Sequence, residues 1–314
     1  MSAIVYISEG DDPERWRLAL ATALPEADLE RDFHIWPDQG DADQIDIALV
    51  WRPTPGALQN FPNLKAIINL GAGVDTIVAD HTWPRHVPLV RMVDAALTGN
   101  MTEFIIHRVL HFHRKFYRYE KMQRDHDWRE LRQIESQDRS VGILGLGELG
   151  GDAARHLVNL NFRVSGWSRS EKNLDGVQSF FGQDQLTPFL NNTEILVCLL
   201  PLTPETTGII NATSLSQLPQ GAFVINAARG GHVVEADLRA ALDSGHIEAA
   251  ALDVFASEPL PDDSPMWDHP KIILSPHIAS LSVPASAAAS IAENIRRVRR
   301  GEAPRDLVEL ESGY

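Results

Sequence analysis

Short apolar runs alternate with helix-patterned stretches along nearly the whole chain, and that alternation leaves few folds open. Runs at residues 3–7, 45–51, 64–70 and 88–92 have the length and bounding residues of buried strands, with helical patterns between several of them. A helical stretch follows from about residue 99 to about 123; at 1.5 Å per residue it would be ~35 Å long, enough to join two domains or cross an interface. A second βα series occupies 140–146, 162–167, 194–200, 222–227, 248–254 and 271–274, and a last helical pattern covers 284–300. Such a pattern predicts parallel sheets built from βαβ units. With 314 residues there is material for two α/β domains. Because the last helix comes after the second sheet is complete, the first domain is expected to be discontinuous.

Composition excludes several partners. A net charge of −15 is the wrong sign for a chain that gains affinity by neutralising many phosphates, so no nucleic acid is expected. The single cysteine, Cys198, cannot form an internal disulfide and reads as a buried strand residue in a reducing compartment. The first twelve residues lack the basic and apolar parts of a signal peptide, and no apolar run approaches the ~18–20 residues of a membrane span. A cytoplasmic protein with no membrane partner is the expectation.

The segment Gly145-Leu-Gly147-Glu148-Leu149-Gly150 follows a buried strand and opens an amphipathic helix. Gly145 permits a tight turn, Gly147 lets the backbone approach a pyrophosphate, and Gly150 lets the helix pack close to the strand. The helix N-terminus adds N–H donors and partial positive charge. A glycine turn alone is a weak signal; flanked by strand, helix and second strand it points to a dinucleotide. The tip of that second strand chooses between cofactors. NAD sites place an acid there for the ribose 2′-OH, whereas this chain has Ser168, Arg169 and, a little further on, Lys172. A carboxylate ~4 Å from a 2′-phosphate would cost up to about 4 kcal/mol per charge pair at an effective dielectric near 20. Ser168 removes that repulsion and Arg169 can form a bidentate contact with phosphate. NADP(H) is the expected cofactor, with NAD(H) bound more weakly.

Reduction of a keto acid needs a hydride donor, a cation for the carboxylate and an acid for the new alkoxide. Arg229, Glu258 and His277 each stand just beyond a strand of the second series, where clefts form in open α/β sheets. Their order and spacing say more than any one of them. Together with Leu70-Gly-Ala-Gly-Val-Asp75, the glycine turn, Trp167-Ser-Arg169, residues 200–206, 226–231, 253–260 and 275–277, and the terminal Gly313-Tyr314, they make the chain resemble the D-isomer-specific 2-hydroxyacid dehydrogenase family over nearly its full length, most closely its glyoxylate/hydroxypyruvate reductase branch.

The resemblance implies two Rossmann-like, doubly wound parallel-sheet domains with an active-site cleft between them. Residues 1–98 and 282–314 would form the discontinuous substrate-binding domain and 99–281 the dinucleotide-binding domain. His277 would be the proton donor in reduction, Glu258 would bond its imidazole, and Arg229 would bind the substrate carboxylate. Gly73 and Val74 would present N–H groups to the same carboxylate, Asp253 would contact the nicotinamide carboxamide, and Leu200, Pro201, Thr206 and Ala227 would line the cofactor. Trp51 and Arg52 resemble the branch's aromatic-polar pair near the substrate, although relatives carry His where this chain has Arg52; a Trp packing the strand end is the alternative. Trp128 either reaches a neighbouring subunit's site or anchors an interface, in a homodimer formed through the cofactor domain.

Other signals carry less. Glu103, His107 and His111 share one helical face, but the pattern lacks the internal Glu of a zinc peptidase helix, so no metal is expected. The basic run 296–300 reads as a solvated helix end. Two rival functions share the fold: a nicotinamide-sensing co-regulator, and an NAD-dependent family dehydrogenase of another substrate.

Overall fold

Strands that are apolar on both faces need cover on both, and the chain meets that need twice. The computed structural model describes residues 2–8 and 10–309; the Gly313-Tyr314 pair lies outside them. The chain separates into two units, Met1–Leu97 with Leu281–Tyr314, and Thr98–Ser280.

The first unit runs β1 (Ala3–Ser8), α1 (Pro13–Ala23), α2 (Leu29–Asp32), β2 (Phe33–Ile35), β3 (Ile45–Trp51), β4 (Ala66–Asn69), α3 (Asp75–Ala79) and β5 (Leu89–Val90). Its sheet is parallel throughout, in the order β2-β1-β3-β4-β5. The winding reverses between β1 and β3, where an open α/β sheet leaves a crevice at the strands' carboxyl ends. α1 starts where it does because Asp12 accepts a 3.0 Å hydrogen bond from the Glu14 N–H and Pro13 fits the first helical position. The returning helix, Pro284–Arg299, packs on α1 and buries Ala287, Ala288, Ile291, Ala292 and Ile295. Its basic end is not simply solvated. Arg299 forks onto the buried Asp46 at 2.9 and 3.2 Å, and Arg296 pairs with Glu26 at 2.6 Å.

In the second unit, α4 (Ala95–His113) brings the chain across, followed by α5 (Phe116–Arg124), β6 (Ser140–Leu144), α6 (Glu148–Asn159), β7 (Arg163–Ser168), β8 (Val177–Phe181), α7 (Leu186–Asn191), β9 (Ile195–Cys198), α8 (Ala212–Gln217), β10 (Ala222–Asn226), α9 (Glu235–Asp243), β11 (Ile247–Leu252) and β12 (Ile272–Leu274). The strands are again all parallel, in the order β12-β11-β10-β9-β6-β7-β8, with the reversal between β6 and β9. Alternate strand residues feed two apolar layers: Val141, Ile143, Val197 and Ile225 on one face, Leu144, Leu196, Cys198 and Val224 on the other.

The single helix expected over 99–123 is two. Lys115 takes a left-handed conformation (φ 61°) and starts a new helix. On an unbroken helix Phe112 and Tyr117 would point about 140° apart. The break lets both rings reach Phe223, Phe112 stacked at 4.8 Å and Tyr117 edge-on at 5.7 Å. Among the described residues no helix is long and apolar enough to cross a membrane.

Candidate active site

At the switch between β6 and β9 the glycine turn has the geometry a phosphate cradle requires. Gly145 has a φ of 100°, a backbone conformation that L side chains avoid, and its N–H donates to the Trp167 carbonyl at 2.8 Å. A Cβ on Gly150 would lie 1.8 Å from the Gly145 carbonyl oxygen, so only glycine lets α6 sit this close. A Cβ on Gly147 would meet no atom of the chain within 4 Å. The fold makes no packing demand for glycine there, which fits a backbone to be approached from outside. Gly147 is also the N-cap of α6 and brings no side-chain cap to its first N–H groups. Glu148 is exposed, while Leu149 packs against the core.

The tip of β7 carries no acid. Ser168 is buried and donates to the Ser170 carbonyl at 2.8 Å, whereas Arg169 and Lys172 are exposed. Facing this tip is Glu205 of the loop after β9. Its carboxyl is held below the usual range by its own main-chain N–H and by Thr203, despite some desolvation, with the Arg169 charge adding to the effect. That loop is closed internally: Thr206 donates to the Pro201 carbonyl at 2.7 Å and accepts from the Thr203 N–H at 2.8 Å. Leu200, Thr206 and Ala227 are buried and Pro201 is half-buried.

β10 ends on the buried Asn226, which folds the next loop back on itself. Its Nδ2 donates to the Arg229 carbonyl at 2.9 Å and its Oδ1 accepts from the Ala228 N–H at 3.2 Å. Arg229 is half-buried, and its guanidinium donates to the Ala228 carbonyl at 2.8 Å. Beyond β11, Asp253 is 1% exposed and holds the loop that carries His277. One oxygen accepts from the Ser275 hydroxyl at 2.6 Å and the Ile278 N–H at 3.0 Å; the other accepts from the Ala279 N–H at 2.8 Å. Within this clamp His277 sits at φ 54°. Its Nδ1 lies 2.7 Å from Glu258 Oε2, and the other Glu258 oxygen accepts from the Phe255 N–H at 3.1 Å. An ionised carboxylate only accepts, so the contact places a proton on Nδ1 and makes Nε2 the chemically active nitrogen.

The first unit holds the remaining candidates. Trp51 ends β3 and Arg52 follows it, with the Arg52 guanidinium 5.7 Å from the Trp51 ring centre and its backbone at φ 47°. Next to them, Gly71 opens the loop after β4; a Cβ there would fall 2.1 Å from the Trp51 ring. The Trp51 ring therefore packs directly on the Gly71 backbone. Asn69 is buried and donates to the carbonyls of Gly71 (2.7 Å) and Gly73 (2.9 Å), and Val74 leads into α3. Trp128, after α5, is fully exposed at 101%. Glu103 and His107 are exposed and His111 is buried; among the described residues no group of three His, Cys, Asp or Glu is arranged to hold a metal.

Two kinds of residue carry no signal of their own in the sequence: the strand-ending Asn69 and Asn226, and Asp253 in its role as a clamp. The one clue available was a polar residue closing an apolar strand just ahead of a functional loop.

Residues 106–279 match the family model described as D-isomer specific 2-hydroxyacid dehydrogenase, NAD binding domain. The chain is 40% identical to glyoxylate/hydroxypyruvate reductase A of Serratia proteamaculans, across 99% of both chains. It is similar to the crystal structure of a D-isomer specific 2-hydroxyacid dehydrogenase from Xanthobacter autotrophicus in complex with NADPH and MES, at 44% identity and a TM-score of 0.95 over 99% of each chain. It also resembles the NADPH-dependent glyoxylate/hydroxypyruvate reductase of Sinorhizobium meliloti, crystallised with NADP and sulfate, at 38% identity and a TM-score of 0.92 over 100% of each.

Proposed function

The chain belongs to the D-isomer-specific 2-hydroxyacid dehydrogenase family, and from that premise we propose that it reduces small 2-keto acids, glyoxylate and hydroxypyruvate foremost, with NADPH. The observation that carries this reading is the His277–Glu258 pair at 2.7 Å, held in a loop whose main chain is clamped by a buried carboxylate. NADPH supplies the hydride when bound, and the chain's own groups handle charge and protons. Gly145, Gly147 and Gly150 shape the pyrophosphate cradle, and Arg169, helped by Lys172, meets the 2′-phosphate where an acid would repel it. Arg229 holds the substrate carboxylate and polarises the keto oxygen. His277 gives its Nε2 proton to that oxygen as negative charge builds there, and the Glu258 contact keeps the remaining proton on Nδ1. In the reverse direction the same nitrogen takes the proton back.

NADPH and NADP in the Xanthobacter and Sinorhizobium structures support the cofactor choice, as does the reductase name of the Serratia relative. The test is a panel of glyoxylate, hydroxypyruvate and pyruvate with each nicotinamide cofactor. NADPH should give at least about tenfold higher kcat/KM than NADH, the effect of one good charge-assisted phosphate contact. Equal values for both cofactors would refute the preference. His277→Ala should lower kcat by about 10²–10⁴-fold, the range for removing a general acid.

A further inference from the structure

His232 has no part in the chemistry just described, yet it is 0% exposed and lies between two loops that do. It ends the short turn Gly230–His232 that follows Arg229. Its Nε2 lies 3.2 Å from the Pro201 carbonyl, in the loop proposed to line the cofactor. Its Nδ1 lies 3.0 Å from the Arg229 carbonyl and 3.3 Å from the Arg229 N–H, in the loop proposed to hold the substrate. The two loops leave neighbouring parallel strands, β9 and β10, which pair as far as Cys198 and Asn226. Further out, main-chain bonds from Gly208 to the Gly231 carbonyl, Ile210 to the His232 carbonyl and Val234 to the Ile210 carbonyl rejoin the loops; nearer the strand ends, at Pro201 and Arg229, the His232 ring spans them. A ring protonated on Nε2 donates to Pro201 and accepts from the Arg229 N–H; a ring protonated on both nitrogens donates to both carbonyls. In either state one rigid side chain spans both loops. An apolar residue would fill the same buried space but leave the Pro201 and Arg229 main-chain groups without these partners.

We infer that His232 is a positioning residue that couples the cofactor-lining loop to the substrate-binding Arg229, each through a different ring nitrogen. This rests on the roles proposed above for Arg229 and the 201–206 loop. It makes a prediction that a merely structural histidine does not. Glutamine places its terminal amide near the Nε2 position and asparagine near the Nδ1 position, so each variant keeps one half of the bridge. His232→Gln should retain the Pro201 contact, bind NADPH normally by fluorescence titration, and raise the keto-acid KM by about tenfold, the effect of one lost buried hydrogen bond. His232→Asn should do the reverse, weakening NADPH by a similar factor while the keto-acid KM at saturating cofactor stays near the parent value. Thermal unfolding confirms that each variant is folded, and one folded variant is enough to decide the matter. Equal effects of a variant on both ligands, or none on either, overturn the coupling. The parent enzyme is assayed first: if it reduces no keto acid, the proposed function fails. The NADPH titrations then still read the Pro201 half of the bridge, through the contrast between the two variants.

Discussion

Asp253 is the residue on which the geometry of the His277 loop most visibly depends. Its carboxylate is withdrawn from water and accepts three hydrogen bonds from the segment carrying His277. The family resemblance implied a contact with the nicotinamide carboxamide; the structure adds a positioning task, and the two are separable. In Asp253→Asn one accepting oxygen becomes an NH₂ group facing a hydroxyl or N–H donor. Leaving such buried donors unmatched costs about 1–3 kcal/mol. The resulting shift of His277 should lower kcat by about 10²-fold, since misplacement by ~1 Å can cost that much. NADPH affinity, read by fluorescence, should change far less than kcat. If affinity collapses while kcat at saturating NADPH holds, the residue acts through the cofactor and not through the loop. Gly71 poses a similar problem in the first unit. Gly71→Ala would push a methyl into the Trp51 ring, and smaller Trp51 variants should restore what it loses in urea midpoint.

Among the elements, the tip of β7 is where the proposed cofactor preference would be set. Ser168→Asp should restore the acid of an NAD site and lower kcat/KM for NADPH by at least about 10²-fold, while activity with NADH stays level or rises. A parallel loss with both cofactors would point to damage at the strand end. The helix α4 leads to a pH prediction. His111 and His113 are buried, and burial holds both pKa values below the ordinary histidine value. The unfolded chain then takes up protons first, so stability is complete above about pH 6.5 and falls as the pH drops below it. The urea midpoint should decline between pH 7.5 and 5.5, and less steeply in His113→Gln. What could be read from sequence follows the same division. Central strands such as Ile195–Cys198 are apolar throughout and stand out. The edge strands Phe33–Ile35 and Val177–Phe181 do not, because each pairs with a neighbouring strand on one side only and its residues are mixed. The helix break at Lys115 was hidden because aromatic packing on Phe223, a residue far along the chain, decides it. The glycine turn stands out by its local spacing, and Arg229, Glu258 and His277 by their order after successive strands, their proposed roles coming from the resemblance. Asn69, Asn226 and His232 do not, because their work lies in backbone contacts made only after folding.

For the whole molecule the open question is association, and charge and apolar surface point the same way. The chain carries a net charge of −15, so two copies repel unless a local surface offsets it. Residues 114–132 supply one: seven Lys or Arg against four Asp or Glu, with Trp128 fully exposed among them and Phe116 half-exposed. A cationic stretch on an acidic protein is complementary to the rest of a second copy, and a bare tryptophan is the side chain most often found carrying interface energy. The proposed homodimer through this unit should therefore weaken by about 30-fold or more in Trp128→Ala, equivalent to an interface residue worth ~2 kcal/mol. It should also weaken with added salt, which screens the charge term but not the aromatic one. Sedimentation velocity over a range of concentrations measures both effects, and a parent chain that stays monomeric would end the proposal. The two roles left open for Trp128 then separate. An interface anchor loses association first, and activity falls only as the dimer dissociates. A residue reaching into the neighbouring site raises the keto-acid KM even at concentrations where the variant is fully dimeric.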